Sequence, residues 1–187
     1  MRPQQTISTG EGIPVANAAD ENEMPAEIVY IGIGSNLGDS ISIVQDAINL
    51  LGKISKSELI KYSSLYSSEP VGDIPQDDYV NAVVALKTGL KPTELLLELQ
   101  AIEHAFYRQR DPALRWGPRT LDLDIILYGN RAINDSHLTV PHSEMKNRLF
   151  VLKPLLEVSG EIYIAGLGSL SYLIDKAPVI KINIINN

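Results

Sequence analysis

Leu121-Asp122-Leu123-Asp124-Ile125-Ile126-Leu127 alternates apolar and acidic side chains and then runs apolar. A period of two belongs to a β-strand, in which residues i and i+2 share a face. Leu121, Leu123 and Ile125 therefore turn to a core, while Asp122 and Asp124 share the opposite face, roughly 7 Å apart. Two carboxylates held this close repel, which raises a pKa unless a cation offsets them. Mg²⁺ does so, typically taking one or two carboxylates together with phosphate oxygens. Two such ions can clamp a transferring phosphoryl group. The alternative reading of an isolated Asp-x-Asp is a pair of exposed strand acids.

The residues just upstream weigh on that choice. Arg108, Arg110, Arg115 and Arg119 fall within twelve positions, against Asp111 alone. Guanidinium groups match phosphate by bidentate geometry and stay charged. Arginines ahead of a carboxylate pair make sense if a metal-bound triphosphate sits between them; a solvated basic loop is the plainer alternative. Trp116 is the single tryptophan of the chain, and it reads either as a packing anchor of its loop or as a stacking plate beside the arginines. Downstream, Thr139-Val140-Pro141-His142 places a histidine before Lys146 and Arg148.

Further outward, the order of elements emerges. Ile28-Val29-Tyr30-Ile31-Gly32-Ile33 is a short β-branched run that reads as a buried strand. Asp39 or Ser40 caps a helix whose Ile43, Val44, Ala47, Ile48 and Leu51 recur at helical spacing, with Gly52 at its end. Residues 54–67 suit one long strand and 79–86 another, separated by a polar loop with two prolines. Lys91-Pro92-Thr93-Glu94 starts a second helix, with Leu95, Leu96, Leu99, Ile102 and Phe106 on one face. A strand over 120–128, a short helix at 143–146 and a helix over 147–158 interrupted by Pro154 complete the series. The order β-α-β-β-α-β predicts an α+β, ferredoxin-like sandwich: a mainly antiparallel sheet with helices packed on a face.

The bulk numbers set the frame. The chain has 187 residues, 44% hydrophobic and 21% charged, with no cysteine and a formal net charge of −7. Disulfides and thiolate metal sites are excluded, and the charge argues against nucleic-acid or membrane-surface partners. Residues 1–26 carry one Arg against four acids and no apolar block. They resemble neither a secretory signal nor a transit peptide and read as a disordered acidic tail. Residues 27–187 are expected to form a single cytoplasmic domain, with 170–187 poorly placed by pattern. No P-loop occurs, and Gly32-Ile33-Gly34-Ser35-Asn36-Leu37-Gly38 puts its third Gly one residue late for a dinucleotide fingerprint.

Taken together, the motifs resemble the 6-hydroxymethyl-7,8-dihydropterin pyrophosphokinase family of folate biosynthesis. The resemblance rests on ordered blocks: Tyr30 to Asp39, Ser68-Glu69-Pro70-Val71-Gly72, Asp78 to Ala82, Arg115 to Ile125, Leu138 to His142, and Met145 to Arg148. It implies transfer of the β,γ-diphosphate of ATP, as co-substrate, to the pterin hydroxymethyl group, releasing AMP. Asp122 and Asp124 would hold two Mg²⁺ ions. Arg108 and Arg119 would stabilise the transition state. Gln100, Arg110, Arg115, Trp116, His142 and Arg148 would serve ATP binding, with Ile125 and Thr139 offering backbone groups to adenine. Tyr79 and Phe150 would sandwich the pterin, Asn81 would read its edge, and Ser68 and Val71 would line it. Ser143 stands where the family carries Tyr or Pro. The expected partners are ATP and 6-hydroxymethyl-7,8-dihydropterin, without nucleic acid or membrane, and the expected state is a monomer. A non-catalytic ferredoxin-like nucleotide-binding module is the competing reading.

Overall fold

The β-branched run near the N-terminus forms β1 (Glu27–Ser35) of a computed structural model that describes residues 25–72, 74–106 and 117–186. Helix α1 (Ser40–Leu51) follows, its first turn fixed by Asp39, whose carboxylate accepts from Ser42 N–H at 3.2 Å. Strands β2 (Ser57–Tyr62), β3 (Tyr66–Ser68) and β4 (Tyr79–Thr88) lead to helix α2 (Pro92–Ala105). There Pro92 sits in the first turn, and the Glu94 carboxylate accepts from Lys91 N–H at 2.7 Å. Strand β5 (Asp122–Tyr128) carries the acidic alternation.

Among the described residues six strands form the main sheet, in the order β10-β3-β4-β1-β5 with β2 also on β4, where β10 is Ile182–Ile184. All its pairings are antiparallel. Because β4 and β5 both run against β1, they lie parallel to each other and are joined through α2. This is the split βαβ arrangement of a ferredoxin-like α+β fold.

Four local expectations change. The single strand over 54–67 is two strands along the same edge of β4. At the break, Ser63 N–H donates to Val83 O at 2.9 Å and Ser63 Oγ accepts from Val83 N–H at 3.0 Å, so a side chain replaces a ladder carbonyl. The helix at 143–146 is a 3₁₀ turn, Met145–Asn147. Helix α3 (Leu149–Ser159) runs through Pro154 rather than ending there. The tail, unplaced by pattern, holds a small hairpin of β8 (Tyr163–Ile164) and β9 (Gly168–Ser169), helix α4 (Leu170–Lys176), and β10. A second short hairpin pairs β6 (Ile133–Asn134) with β7 (Thr139–Val140).

Helices cover both faces of the sheet, not one. Val29, Ile31, Ile33, Val84, Leu86, Leu123 and Ile125 pack against Val44, Ala47 and Leu51 of α1 and Leu95 and Leu99 of α2. On the opposite face Val83 and Ile126 pack against Leu149, Leu152 and Leu155 of α3 and Leu170 and Leu173 of α4. Among the described residues no helix is long and apolar enough to cross a membrane.

Candidate active site

Strand parity places the site on the α3 face. Alternate residues of three neighbouring strands point there: Tyr79, Asn81 and Val83 from β4, Gly32 and Gly34 from β1, and Asp122 and Asp124 from β5. The register aligns Asn81, Gly34 and Asp122 in one row across the sheet, and Val83, Gly32 and Asp124 in the next. Two inter-strand spacings, about 9–10 Å, therefore separate the Asn81 and Asp122 backbones, with only a glycine between them. The pairing opens a cavity of about 320 Å³ above this floor.

Cationic and imidazole groups stand beside both carboxylates. Arg119 Nη1 lies 2.5 Å from Asp122 Oδ2. Asp124 Oδ2 is 3.8 Å from both His142 Nε2 and Arg148 Nη1, which is attraction without a direct hydrogen bond. Burial works to lower the Arg119 pKa, but Asp122, Tyr79 and Asp124 more than offset it and hold the guanidinium above its ordinary value. For His142 burial wins over the attraction of Asp124, aided by Arg148, and its pKa falls below the ordinary value. His142 Nδ1 accepts from Glu144 N–H at 3.2 Å, so a neutral ring carries its proton on Nε2, toward Asp124.

Backbone anchors fix these groups. Asn36, buried at the end of β1, accepts from Arg119 N–H at 2.8 Å while its own N–H donates to Arg119 O at 3.1 Å. Its amide nitrogen donates to Gln76 Oε1 at 2.9 Å and to Asp77 O at 3.1 Å. One residue thus joins the segment before Asp122 to the loop before Tyr79. Glu103, 2% exposed on α2, accepts from Leu123 N–H at 2.8 Å, between the two aspartates on the outer edge of β5. Thr120 Oγ1 donates to Phe106 O at 2.8 Å, tying the C-terminal end of α2 to the residues that lead into β5.

The other end of the cavity is aromatic and amide-lined. Tyr79 OH is within hydrogen-bond distance of Gln76 Oε1 (3.1 Å) and Gly117 O (3.2 Å). Asn81 Nδ2 donates to Ser68 Oγ at 2.9 Å, which leaves Oδ1 facing Gly34. Phe150, in the first turn of α3, lies under Arg148, whose Cζ is 5.9 Å from the ring centroid.

Ser68, Val71, Tyr79, Asn81, Arg119, Asp122, Asp124, His142, Arg148 and Phe150 all line the one cavity. Gln100 and Thr139 are not among its lining residues, and Ile125 turns its side chain into the core on the far face. Arg108, Arg110, Arg115 and Trp116 lie outside the described residues. Sequence reasoning gave no site role to Gly32, Gly34 and Asn36, although they stand in the Tyr30 to Asp39 block, and passed over Gln76 and Glu103. Glu103 was within reach, because it falls four residues after Leu99 on the apolar face of α2.

Among the described residues no cluster of three or more His, Cys, Asp or Glu side chains could cage a metal. A two-carboxylate donor set suits Mg²⁺, which usually keeps waters and substrate phosphate in the rest of its shell.

Residues 30–160 match the family model described as 7,8-dihydro-6-hydroxymethylpterin-pyrophosphokinase. The 2-amino-4-hydroxy-6-hydroxymethyldihydropteridine pyrophosphokinase of Haemophilus influenzae is 46% identical over 133 residues, covering 71% of this chain and 82% of that one. The corresponding Pseudomonas aeruginosa protein is 44% identical over 134 residues, covering 72% and 82%. The bifunctional protein FolKE of Lactococcus lactis subsp. cremoris is 46% identical over 132 residues, but these make up only 37% of its length. In the crystal structure of wild-type Plasmodium falciparum HPPK-DHPS with SDX-DHP, 45% of the chain superposes on 83% of this one, with TM-score 0.66 and 14% identity. That likeness speaks for the fold, while the family model and the relatives above 40% identity carry the assignment. The chain belongs to the 7,8-dihydro-6-hydroxymethylpterin-pyrophosphokinase family.

Proposed function

We propose that this chain transfers the β,γ-diphosphate of ATP to the hydroxymethyl group of 6-hydroxymethyl-7,8-dihydropterin, releasing AMP. The row Asn81–Gly34–Asp122 carries this reading. It sets an amide suited to a pterin edge two strands from a carboxylate suited to a metal-bound phosphate. The bare glycine between them leaves room for the hydroxymethyl group to approach the β-phosphorus.

On this reading Tyr79 and Phe150 hold the pterin ring, and Ser68 and Val71 form its wall. Asp122 and Asp124 would hold two Mg²⁺ ions, and those ions would supply neutralisation of the triphosphate charge. Arg119 already neighbours Asp122, and its raised pKa keeps it cationic as negative charge develops. His142 donates from Nε2, and Arg148 presents its guanidinium, toward the same region. The oxygen of the pterin hydroxymethyl group bonds to the β-phosphorus and loses its proton to solvent, the bond from that phosphorus to the α,β-bridging oxygen breaks, and AMP departs with that oxygen. Positioning and charge neutralisation suffice for such a transfer, and no side chain is assigned as general base. Gln100 serves the ATP phosphates, and Ile125 and Thr139 offer backbone groups to adenine, outside the cavity described. We read residues 27–187 as one catalytic domain that works as a monomer in the cytoplasm.

The test is product identity. With Mg²⁺, ATP and the pterin, equimolar AMP and pterin diphosphate are expected, and Asp122→Ala and Asp124→Ala should abolish both. Formation of ADP, or none of these products from folded protein, would refute the assignment. Tight nucleotide binding unaffected by either substitution would favour the non-catalytic module instead.

A further inference from the structure

Strand β10 lies beyond the segment that matches the family model, residues 30–160, yet it reaches the wall of the cavity. It flanks β3, pairing Ile182, Asn183 and Ile184 with Ser68, Ser67 and Tyr66. The ladder extends past both ends of this register. Ile185 N–H donates to Leu65 O at 2.8 Å. At the other end the bond is reciprocal: Glu69 N–H donates to Lys181 O at 3.2 Å, and Lys181 N–H donates to Glu69 Oε1 at 3.0 Å.

That bridge sits where the wall leaves the sheet. Pro70 follows Glu69 and has no N–H with which to continue a ladder. The Ser68–Val71 segment would therefore hang from β4 alone but for β10. Ser68 also holds the Asn81 amide, so a shift of β3 would disturb the floor as well as the wall. Ile180 packs against the α3 side of the sheet and Ile185 against the α1 side, which fastens the strand at both ends.

We propose that the C-terminal strand is a positioning element of the pterin site, holding the Ser68–Val71 wall in its substrate-ready place through the Glu69–Lys181 bridge. The proposal rests on the pterin reading above. Glu69 lines the cavity but Lys181 does not, so Lys181 acts only through Glu69.

The experiment compares full-length wild type with Lys181→Pro, Glu69→Ala, Glu69→Gln and the Glu69→Ala/Lys181→Pro double variant, measuring KM for pterin and for ATP separately. Lys181→Pro removes the donor from outside the cavity, and Glu69→Ala removes the acceptor. Each should raise the pterin KM by about three- to tenfold and leave the ATP KM within about twofold, the scale of one hydrogen bond. The double variant should be no worse than either single, because both delete one interaction. Glu69→Gln keeps an acceptor oxygen and should restore most of the loss. An unchanged pterin KM in folded Lys181→Pro, or an equal rise in both KM values, would overturn the proposal. If Lys181→Pro does not fold, amide exchange on the wild type decides: pterin should slow exchange at Glu69 and Lys181, and no slowing overturns it. Wild type that forms no pterin diphosphate would instead overturn the activity itself, and the proposal with it.

Discussion

Gly34 stands between Asn81 and Asp122, and a methyl group there would meet Asn81 Oδ1 at 3.7 Å and Asp122 Cβ and Tyr79 Cδ1 at 3.9 Å. These are ordinary contacts, and the backbone lies in a region open to any residue, so the fold should accept Gly34→Ala. The methyl group would nevertheless stand on the cavity floor. We expect Gly34→Ala to shift Tm by less than about 2 °C while raising the pterin KM roughly tenfold, measured by thermal melts and initial rates. Gly32→Ala differs, because its methyl would come within 3.1 Å of Ile126 Cδ1 in the α3-side core. Asp122→Asn and Asp124→Asn keep side-chain volume and remove charge, so turnover should fall at least about a hundredfold with the fold retained. The carboxylate pair was legible because period-two alternation places both on one face. The glycines were not, since a residue without a side chain leaves no mark on an apolar pattern. Asn36 and Gln76 stayed hidden because their bonds join residues 40 and 83 apart in sequence.

At the scale of elements, the break between β2 and β3 is held from below by α3. Glu157 accepts from Ser64 N–H and Oγ at 2.9 Å each and from Tyr66 OH at 2.9 Å, while Lys61 donates to the Glu157 carbonyl at 2.7 Å. Burial, followed by the hydrogen bond to Glu157 and its charge, pushes the Tyr66 hydroxyl up to about 12. Burial alone would raise the Glu157 pKa, but the Ser64 and Tyr66 hydrogen bonds and Lys61 hold it below the ordinary 4.5. A carboxyl depressed in the fold contributes stability that is present above its unfolded pKa and is lost as pH falls through the folded value. Glu157 is exposed and its charge is screened, so Glu157→Ala should lower stability by no more than about 1 kcal/mol at neutral pH, through loss of its hydrogen bonds. Denaturant melts should show that difference shrinking below about pH 4.5, and a difference that grows on acidification would contradict the assignment. The break was illegible because one serine hydroxyl, not a change of pattern, interrupts the ladder. Strand β10 was illegible because three residues carry too little periodicity to set a register, which its partner β3 supplies instead.

For the whole molecule, the sheet divides two cores, with α1 and α2 on one face and α3 and α4 on the other. The βαββαβ order was readable from alternating periodicities, because each of those elements is long enough to show its own. The second layer had a signal in Ala82-Val83-Val84-Ala85-Leu86, an unbroken apolar run that asks for cover on both faces. The site opens on that second layer, between the glycine floor and the start of α3, and its two ends face each other along one row of the sheet. Since β1 starts at Glu27 and the family match at residue 30, removing residues 1–26 should leave the rate of product formation within about twofold. The central claim is that a diphosphate moves as one unit from ATP onto the pterin. Phosphorus-31 NMR of a reaction with ATP, Mg²⁺ and 6-hydroxymethyl-7,8-dihydropterin reads this directly. Two mutually coupled phosphorus resonances should appear on the pterin product as AMP accumulates; a single uncoupled phosphorus on the pterin, with ADP as co-product, would contradict it.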